Sequence, residues 1–106
     1  MRSSYEEIEN VRLRQLTPFT TLLVQTTHSL YRIVVTDGDR VYVQGGAFFP
    51  TPVSAYIDGS RVGLGALNLG WIAVGLAMEI QTEGRRVVTS PVRAIITERP
   101  AVAVAH

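Results

Sequence analysis

The chain has 106 residues, of which 46% are apolar and 18% are charged, and its formal net charge is +1. This length suits a single domain, and the excess of apolar over charged residues excludes a disordered chain. The small net charge also argues against a dedicated duplex-binding protein, which needs a strong positive field.

The residue types that are missing indicate the setting of the protein. There is no cysteine, which excludes disulfides and thiolate ligands and suits a reducing compartment. All ten basic residues are arginine, as a GC-rich bacterial genome would favour. The apolar runs are shorter than the roughly 20 residues of a membrane-spanning helix, and no export signal is evident. We therefore expect a bacterial, cytoplasmic protein without membrane association.

The first part of the chain, residues 1–19, is predicted to be an arm that precedes the main domain. Residues 3–10 combine a serine N-cap with acidic first-turn residues, which favours a short helical turn. Pro18 ends whatever structure precedes it. Residues 20–99 are expected to form the main domain, and residues 100–106 an apolar C-terminal tail.

Three turn signals predict β-hairpins in the main domain. Asp-Gly between alternating apolar runs is the strongest of them, because glycine supplies the positive φ of a tight hairpin turn. It occurs at Asp37-Gly38 and at Asp58-Gly59, and Glu83-Gly84 is a weaker copy. Pro91 predicts a bulge or an edge position. The predicted strands are 30–36 with 40–44, 53–57 with 61–62, 72–82 with 85–89, and a last strand over 92–97.

The segment 72–82 is predicted to be one long strand with two different faces. Side chains alternate across a strand, so Glu79 should point outward. Gly75 lies in the middle, as expected where a strand coils at a barrel corner. By the same alternation, the inward-pointing residues of this and the neighbouring strands are Ile72, Val74, Leu76, Met78, Ile80, Val41, Val43, Val53, Ala55, Ile57, Val92, Ala94 and Ile96.

The composition and the turn spacing predict an all-β fold. Valine, isoleucine and threonine make up 31 of the 106 residues, and these β-branched residues favour strands. Short strands joined by glycine turns are typical of barrels and sandwiches. We expect a small, partly closed β-barrel, SH3-like or translation-factor-barrel-like, of about six to eight strands.

One stretch resembles a known family of small barrels. Gly70-Trp71-Ile72-Ala73-Val74-Gly75, followed by Met78-Glu79-Ile80, is similar to the second domains of translation factors, in which a Gly-x-Ile-x-x-Gly stretch opens a strand. Residues 89–95 would form the strand that follows. The resemblance covers positions 70–95, has no counterpart of the nucleotide-binding loops of those factors, and implies a barrel.

No group of residues has the spacing of a catalytic or metal site. His28 is the one internal histidine, and within a polar turn it is expected to be a surface residue rather than a base. Asp37-Gly38-Asp39 matches only the start of a calcium loop. The glycine-rich stretch 63–68 lacks the third glycine of the dinucleotide fingerprint. We therefore predict no catalytic residues, no bound metal and no cofactor.

Two apolar segments predict a surface for protein contacts. Phe48 and Phe49 are adjacent in a predicted loop, and Val102 and Val104 alternate with alanine in the tail, a pattern that can add a strand to a sheet edge. With Trp71 they form the candidate interface. The leading hypothesis is a non-catalytic β-barrel that forms a homo-oligomer or binds a protein partner.

The second hypothesis is a barrel that binds single-stranded nucleic acid such as RNA. Small barrels hold single strands on rings interleaved with arginine, although the small net charge argues against this activity here. A third hypothesis places small-ligand binding or catalysis at the barrel mouth, near His28. The nucleic-acid candidates are Arg32, Arg40, Tyr42, Arg85, Arg86 and Arg93.

Overall fold

A computed structural model describes residues 3–62 and 66–100 of the chain. Within this part the fold is all-β, as predicted, and the helical structure is a lone 3-10 turn, Leu13–Gln15. The ten strands are β1 (Ser3–Ile8), β2 (Asn10–Arg12), β3 (Thr21–Thr26), β4 (Leu30–Asp37), β5 (Arg40–Gly45), β6 (Phe49–Val62), β7 (Ala66–Leu69), β8 (Trp71–Ala73), β9 (Ala77–Thr82) and β10 (Arg85–Pro100).

Six of these strands pair in a ring. Antiparallel pairing runs in the order β3-β4-β5-β6-β9-β10, and β10 pairs back with β3. Outside the ring, β1 pairs with the second half of β10 and β7 with the second half of β6. The short strands β2 and β8 form a separate pair.

The ring closes because β6 and β10 each take part in both of its halves. β6 pairs with β5 through residues 49–56 and with β9 through residues 56–60. β10 pairs with β9 through residues 85–91 and with β3 through residues 92–98. Register shifts at these changes of partner, one of them at the predicted bulge position Pro91, are the bulges that bend a strand.

The interior of the ring is a hydrophobic core to which all six ring strands contribute, aliphatic except for Tyr31 and Phe49. The strand pair β2–β8 and the 3-10 turn add Val11, Leu13 and Ile72 to the same core. The buried ring residues include Leu22, Val24, Ile33, Val35, Val41, Val43, Ala55, Ile57, Met78, Ile80, Val87, Val92 and Ile95.

The prediction of a helical turn over residues 3–10 is wrong. This segment is β1, paired in register with β10 so that Ile8 lies opposite Ile95. The capping signal is local and weak, and a full set of strand hydrogen bonds to β10 outweighs it. The helical turn occurs later, at Leu13–Gln15.

Of the three predicted hairpins, those at Gly38 and Gly84 are confirmed and the one at Asp58-Gly59 is wrong. β6 continues through Gly59 to Val62 without a turn. Gly59 has φ of 143°, and a Cβ there would lie 2.1 Å from the backbone oxygen of Asn68. Glycine is therefore needed at this position for the close approach of β7, and not for a turn.

The segment 72–82 is two strands rather than one. A turn over residues 74–76, in which Gly75 has φ of 94°, separates β8 from β9. Val74, predicted to point inward, is therefore 40% exposed. In β10 a register shift after Val92 reverses the alternation, so Ile95 is buried and Ile96 faces outward. Local alternation does not reveal such shifts, because they arise where a strand changes partner.

Candidate interaction surface

The solvent side of one half of the ring forms a continuous surface, which we call the outer face. It belongs to β1, β3, β4, β5 and the adjoining halves of β10 and β6. Successive side chains of a strand point to opposite faces. Leu22, Ile33 and Val43 are fully buried in the core, so their neighbours along each strand point toward solvent. The outward residues include Tyr5, Glu7, Ile96, Glu98, Thr21, Leu23, Arg32, Val34, Arg40, Tyr42, Gln44 and Ser54.

The middle of the outer face is apolar. Ile96 lies opposite Leu23, and Val34 lies opposite Tyr42. The three aliphatic side chains are half-buried by their neighbours, and Tyr42 is 49% exposed. An antiparallel sheet with one solvated face normally carries polar residues there. These four residues, which we call the apolar patch, depart from that pattern.

Charges of opposite sign lie on the two sides of the apolar patch. Glu7 on β1 and Glu98 on β10 form an acidic margin, and Arg32 on β4 and Arg40 on β5 form a basic margin. None of these four takes part in the ion pairs formed among the described side chains, those of residues 5–62 and 67–98. The outer face therefore carries a charge gradient across its strands.

The predicted interface residues do not form one surface in the described part of the chain. Phe49 is 3% exposed and belongs to the core. Phe48 is exposed before β6, where the Arg85 guanidinium lies 5.2 Å from its ring centroid. Trp71 is half-buried on β8, with the Arg12 guanidinium 5.0 Å from its ring. Val102 and Val104 lie outside the described residues.

The nucleic-acid candidates are divided between surfaces. Arg32, Arg40 and Tyr42 lie on the outer face, whereas the Nε of Arg93 donates to Thr27 Oγ1 at 3.1 Å. Arg85 lies over Phe48.

Arg40 and Arg86 lie at the two ends of a row of cross-strand neighbours. The row runs from Arg40 to Tyr56, Gln81 and Arg86 across four strands. Arg40 donates to the Tyr56 hydroxyl at 2.6 Å, and this hydrogen bond raises the pKa of the Arg40 guanidinium.

A cleft of about 740 Å³ lies beside this row. Its ionisable lining carries equal numbers of positive and negative groups, with Arg14 paired to Asp39 at 3.2 Å. Burial raises the pKa of Asp58, and the negative charges of Glu79 and Asp39 act in the same direction against the opposing effect of Arg86. The lining includes Arg12, Arg14, Asp39, Tyr56, Asp58 and Leu69.

Glu79 is the acidic residue that the fold covers most completely. Its position on β9 points away from the ring interior, as predicted, yet the residue is 3% exposed. Arg86 Nε lies 3.1 Å from Glu79 Oε1, and Arg61 Nε lies 2.9 Å from Glu79 Oε2. Arg61 Nη2 also donates a hydrogen bond to Glu79 Oε1 at 3.4 Å. Gly59 lies directly opposite Glu79 on β6, where its missing side chain lets β7 approach. This cluster is an ion-pair site on the outside of the ring.

The remaining sites considered from the sequence are surface features. His28 is exposed in the β3–β4 turn, and its backbone N–H donates to Ser90 Oγ at 3.2 Å. It does not line the cleft. Among the described residues, no cluster of three or more histidine, aspartate or glutamate side chains is placed to hold a metal ion. In the same part of the chain, no helix has the length and apolar character needed to cross a membrane.

Comparisons of the chain with protein-family models, with curated proteins and with solved structures find no match. The resemblance to translation-factor barrels therefore stays an expectation.

The apolar patch was not among the sequence candidates, although the sequence carries a signal for it. Its aliphatic members lie within uninterrupted apolar runs, at Leu22-Leu23-Val24, Ile33-Val34-Val35 and Ile95-Ile96. Runs without alternation are typical of strands that are covered on both faces. In the isolated chain one face of each of these strands lies in the core and the other faces solvent.

Proposed function

We propose that the protein is a non-catalytic interaction module, built as a small barrel, that self-associates through the outer face. The observation that carries this proposal is the apolar patch, where three neighbouring strands carry aliphatic residues on both sides. Exposed apolar side chains that are contiguous on one surface are typical of contact sites between proteins. The patch differs from the interface predicted from Phe48, Phe49, Trp71, Val102 and Val104, of which Phe49 lies in the core.

The size of the outer face favours weak association. Six strands at ordinary spacing extend about 24 Å across, and five residues extend about 17 Å along each strand. The area enclosed by these two lengths, about 400 Å², is smaller than the roughly 800 Å² that each partner buries in a standard complex. Burying a Leu, Ile or Val completely contributes about 1.5–3 kcal/mol, and these side chains are already half-buried. We therefore expect dissociation constants in the micromolar range or above.

Sedimentation velocity over a series from micromolar to millimolar protein tests the proposal. The weight-average mass of the wild type should rise with concentration. Val34→Arg places a charge in the apolar patch and should keep the protein monomeric throughout the series. Val74→Arg is the control, because it makes the same change at a surface valine that lies in the β8–β9 turn, outside the outer face. It should associate as the wild type does.

Two results would contradict self-association through this face. One is a wild type that stays monomeric at the highest concentration. The other is an equal effect of Val34→Arg and Val74→Arg. Circular dichroism of both variants separates a loss of contacts from a loss of fold.

Binding of single-stranded nucleic acid is the second candidate, favoured by the row from Arg40 to Arg86. Such binding would use the exposed Tyr56 ring for stacking and the two arginines for phosphates. Fluorescence polarisation with a labelled single-stranded RNA tests it. Tyr56→Ala and Arg86→Ala should each weaken binding at least several-fold, and affinity should fall steeply with salt. Absence of binding at low salt would remove this candidate.

A further inference from the structure

The charge distribution of the outer face is directional. The acidic margin lies on β1 and β10, the basic margin lies on β4 and β5, and the apolar patch lies between them. The strand order β1-β10-β3-β4-β5-β6 therefore runs from negative to positive across the face. A surface of this kind is complementary to a copy of itself that is turned around.

We propose that the partner at the outer face is a second copy of this chain, related by a two-fold axis that runs parallel to the strands; this inference rests on the self-association proposed above. Rotation about such an axis exchanges the two sides of the face. The acidic margin of each copy then lies over the basic margin of the other, and the two apolar patches meet in the middle. Each contact occurs twice, as in any isologous interface.

A two-fold axis perpendicular to the strands gives a different result. It would leave each margin over its own counterpart, with Glu98 near Glu98 and Arg32 near Arg32. Like charges that face each other across an interface disfavour the axis perpendicular to the strands. The apolar patch alone would permit both arrangements, so the charged margins determine which of them forms.

Sheet geometry is compatible with the axis parallel to the strands. Two sheets that pack face to face keep their strand directions within about 30° and lie about 10 Å apart. At that separation, glutamate and arginine side chains from opposing sheets can reach each other. Their contacts would lie at the rim of the interface, where charges influence specificity more than affinity.

Charge reversal tests the arrangement. Glu98→Arg alone and Arg32→Glu alone should each weaken self-association about tenfold in sedimentation velocity, because each variant places like charges over one another twice. An equimolar mixture of the two variants should associate about as strongly as the wild type, because every margin then meets its opposite. Glu83→Arg is the control, since Glu83 is exposed in the β9–β10 turn outside the outer face. It should not change association.

The effect of Glu98→Arg relative to the wild type separates the possible failures. Under the perpendicular axis this variant would still place like charges over one another and leave association unchanged, and the mixture would associate more strongly than the wild type. Either result, or a mixture no stronger than its components, would overturn the axis parallel to the strands and leave the apolar patch as the contact site. A wild type that stays monomeric would overturn the proposed function itself. High salt should reduce the difference between the single variants and the mixture.

Discussion

Two regions on the outside of the ring differ in how far their outward-pointing side chains are covered by the rest of the chain. On β9, Glu79 points outward and is covered by the chain's own Arg61 and Arg86. On β3 and β4, Leu23 and Val34 point outward and nothing within the described residues covers them completely. The first region is therefore covered within one chain, whereas the second leaves apolar side chains partly exposed to solvent.

The difference between the regions depends on the side chains that lie beside the outward residue. Glu79 lies between Arg61 on β6 and Arg86 on β10, and each arginine forms an ion pair with it. Gly59 pairs with Leu69 of β7 on one side and with Glu79 of β9 on the other, so β7 extends the sheet beside this cluster. Charged neighbours from the same chain therefore cover Glu79, whereas Leu23 and Val34 stay partly exposed.

Adding one methyl group at Gly59 should disrupt the covered region most strongly. The Cβ of Gly59→Ala would lie 2.1 Å from the backbone oxygen of Asn68, at a φ that other residues rarely adopt. We expect a loss of about 3 kcal/mol or more in the free energy of unfolding, measured by urea denaturation. Gly84→Ala is the control, because a Cβ there meets nothing within 4 Å. It should lose about 1 kcal/mol. Equal losses would contradict the role of close approach.

Removing both arginines around Glu79 should have the next largest effect. Arg61→Ala combined with Arg86→Ala leaves a buried carboxylate without a counter-charge. Breaking a fully buried ion pair costs about 3–5 kcal/mol. Because both arginines are partly exposed, we expect a smaller loss of about 2–3 kcal/mol in the free energy of unfolding. Adding Glu79→Gln to the double variant should recover part of the loss, whereas the same change in the wild type should destabilise. If Glu79→Gln destabilised both backgrounds equally, the proposed coupling would be absent.

Thermal unfolding should distinguish the uncovered region. A protein that associates in its native state is stabilised by mass action, by about 1.4 kcal/mol at ten times the dissociation constant. The melting temperature of the wild type should therefore rise by several degrees across a concentration series. Leu23→Ser should abolish this rise, and Val74→Ser should preserve it. A melting temperature of the wild type that is independent of concentration would count against a contact surface on the outer face.

The smallest expected effect on the free energy of unfolding is that of Asp58 in the cleft, and it depends on pH. Burial raises the pKa of this carboxyl in the folded chain, so at neutral pH the folded state retains a charge that it disfavours. Asp58→Asn should therefore stabilise the protein at neutral pH, by less than about 1 kcal/mol because the site is near the surface.

The advantage of Asp58→Asn should disappear as the pH falls through the raised pKa, because the folded wild type then takes up its proton. Asp37→Asn, at an exposed carboxylate, is the control for the loss of a surface charge. Chemical denaturation between neutral and acidic pH measures both variants. An advantage of Asp58→Asn that grew on acidification would contradict the direction of the pKa.

Local signals predicted the elements whose cause is local. The turns near Gly38 and Gly84 form as expected, because glycine at positive φ and flanking alternation are properties of a few neighbouring residues. Gly59 carries the same dipeptide signal and does not form a turn. There the tertiary pairing of β6 with β7 and β9 uses the glycine for contact, which no local pattern distinguishes.

The residues of the candidate site were likewise predicted correctly where their position has a local cause and wrongly where it has a tertiary cause. Alternation placed Arg40 and Tyr42 on one outward face, which the structure confirms. It also placed Ile96 inward, and this was wrong because a bulge after Val92 reverses the faces of β10. The apolar runs indicate strands covered on both faces, but only the strand pairing shows that Ile96, Leu23 and Val34 are neighbours on three strands.

The amino-acid sequence by itself determined the class of the fold, two of its hairpins and most of the core, because β-branched composition, turn chemistry and alternation act over short distances. Tertiary structure decided the closure of the ring, the covering of Glu79 and the uncovered outer face. These depend on which strands meet where β6 and β10 bend, and pairing between distant segments is a property of the whole chain rather than of any stretch within it.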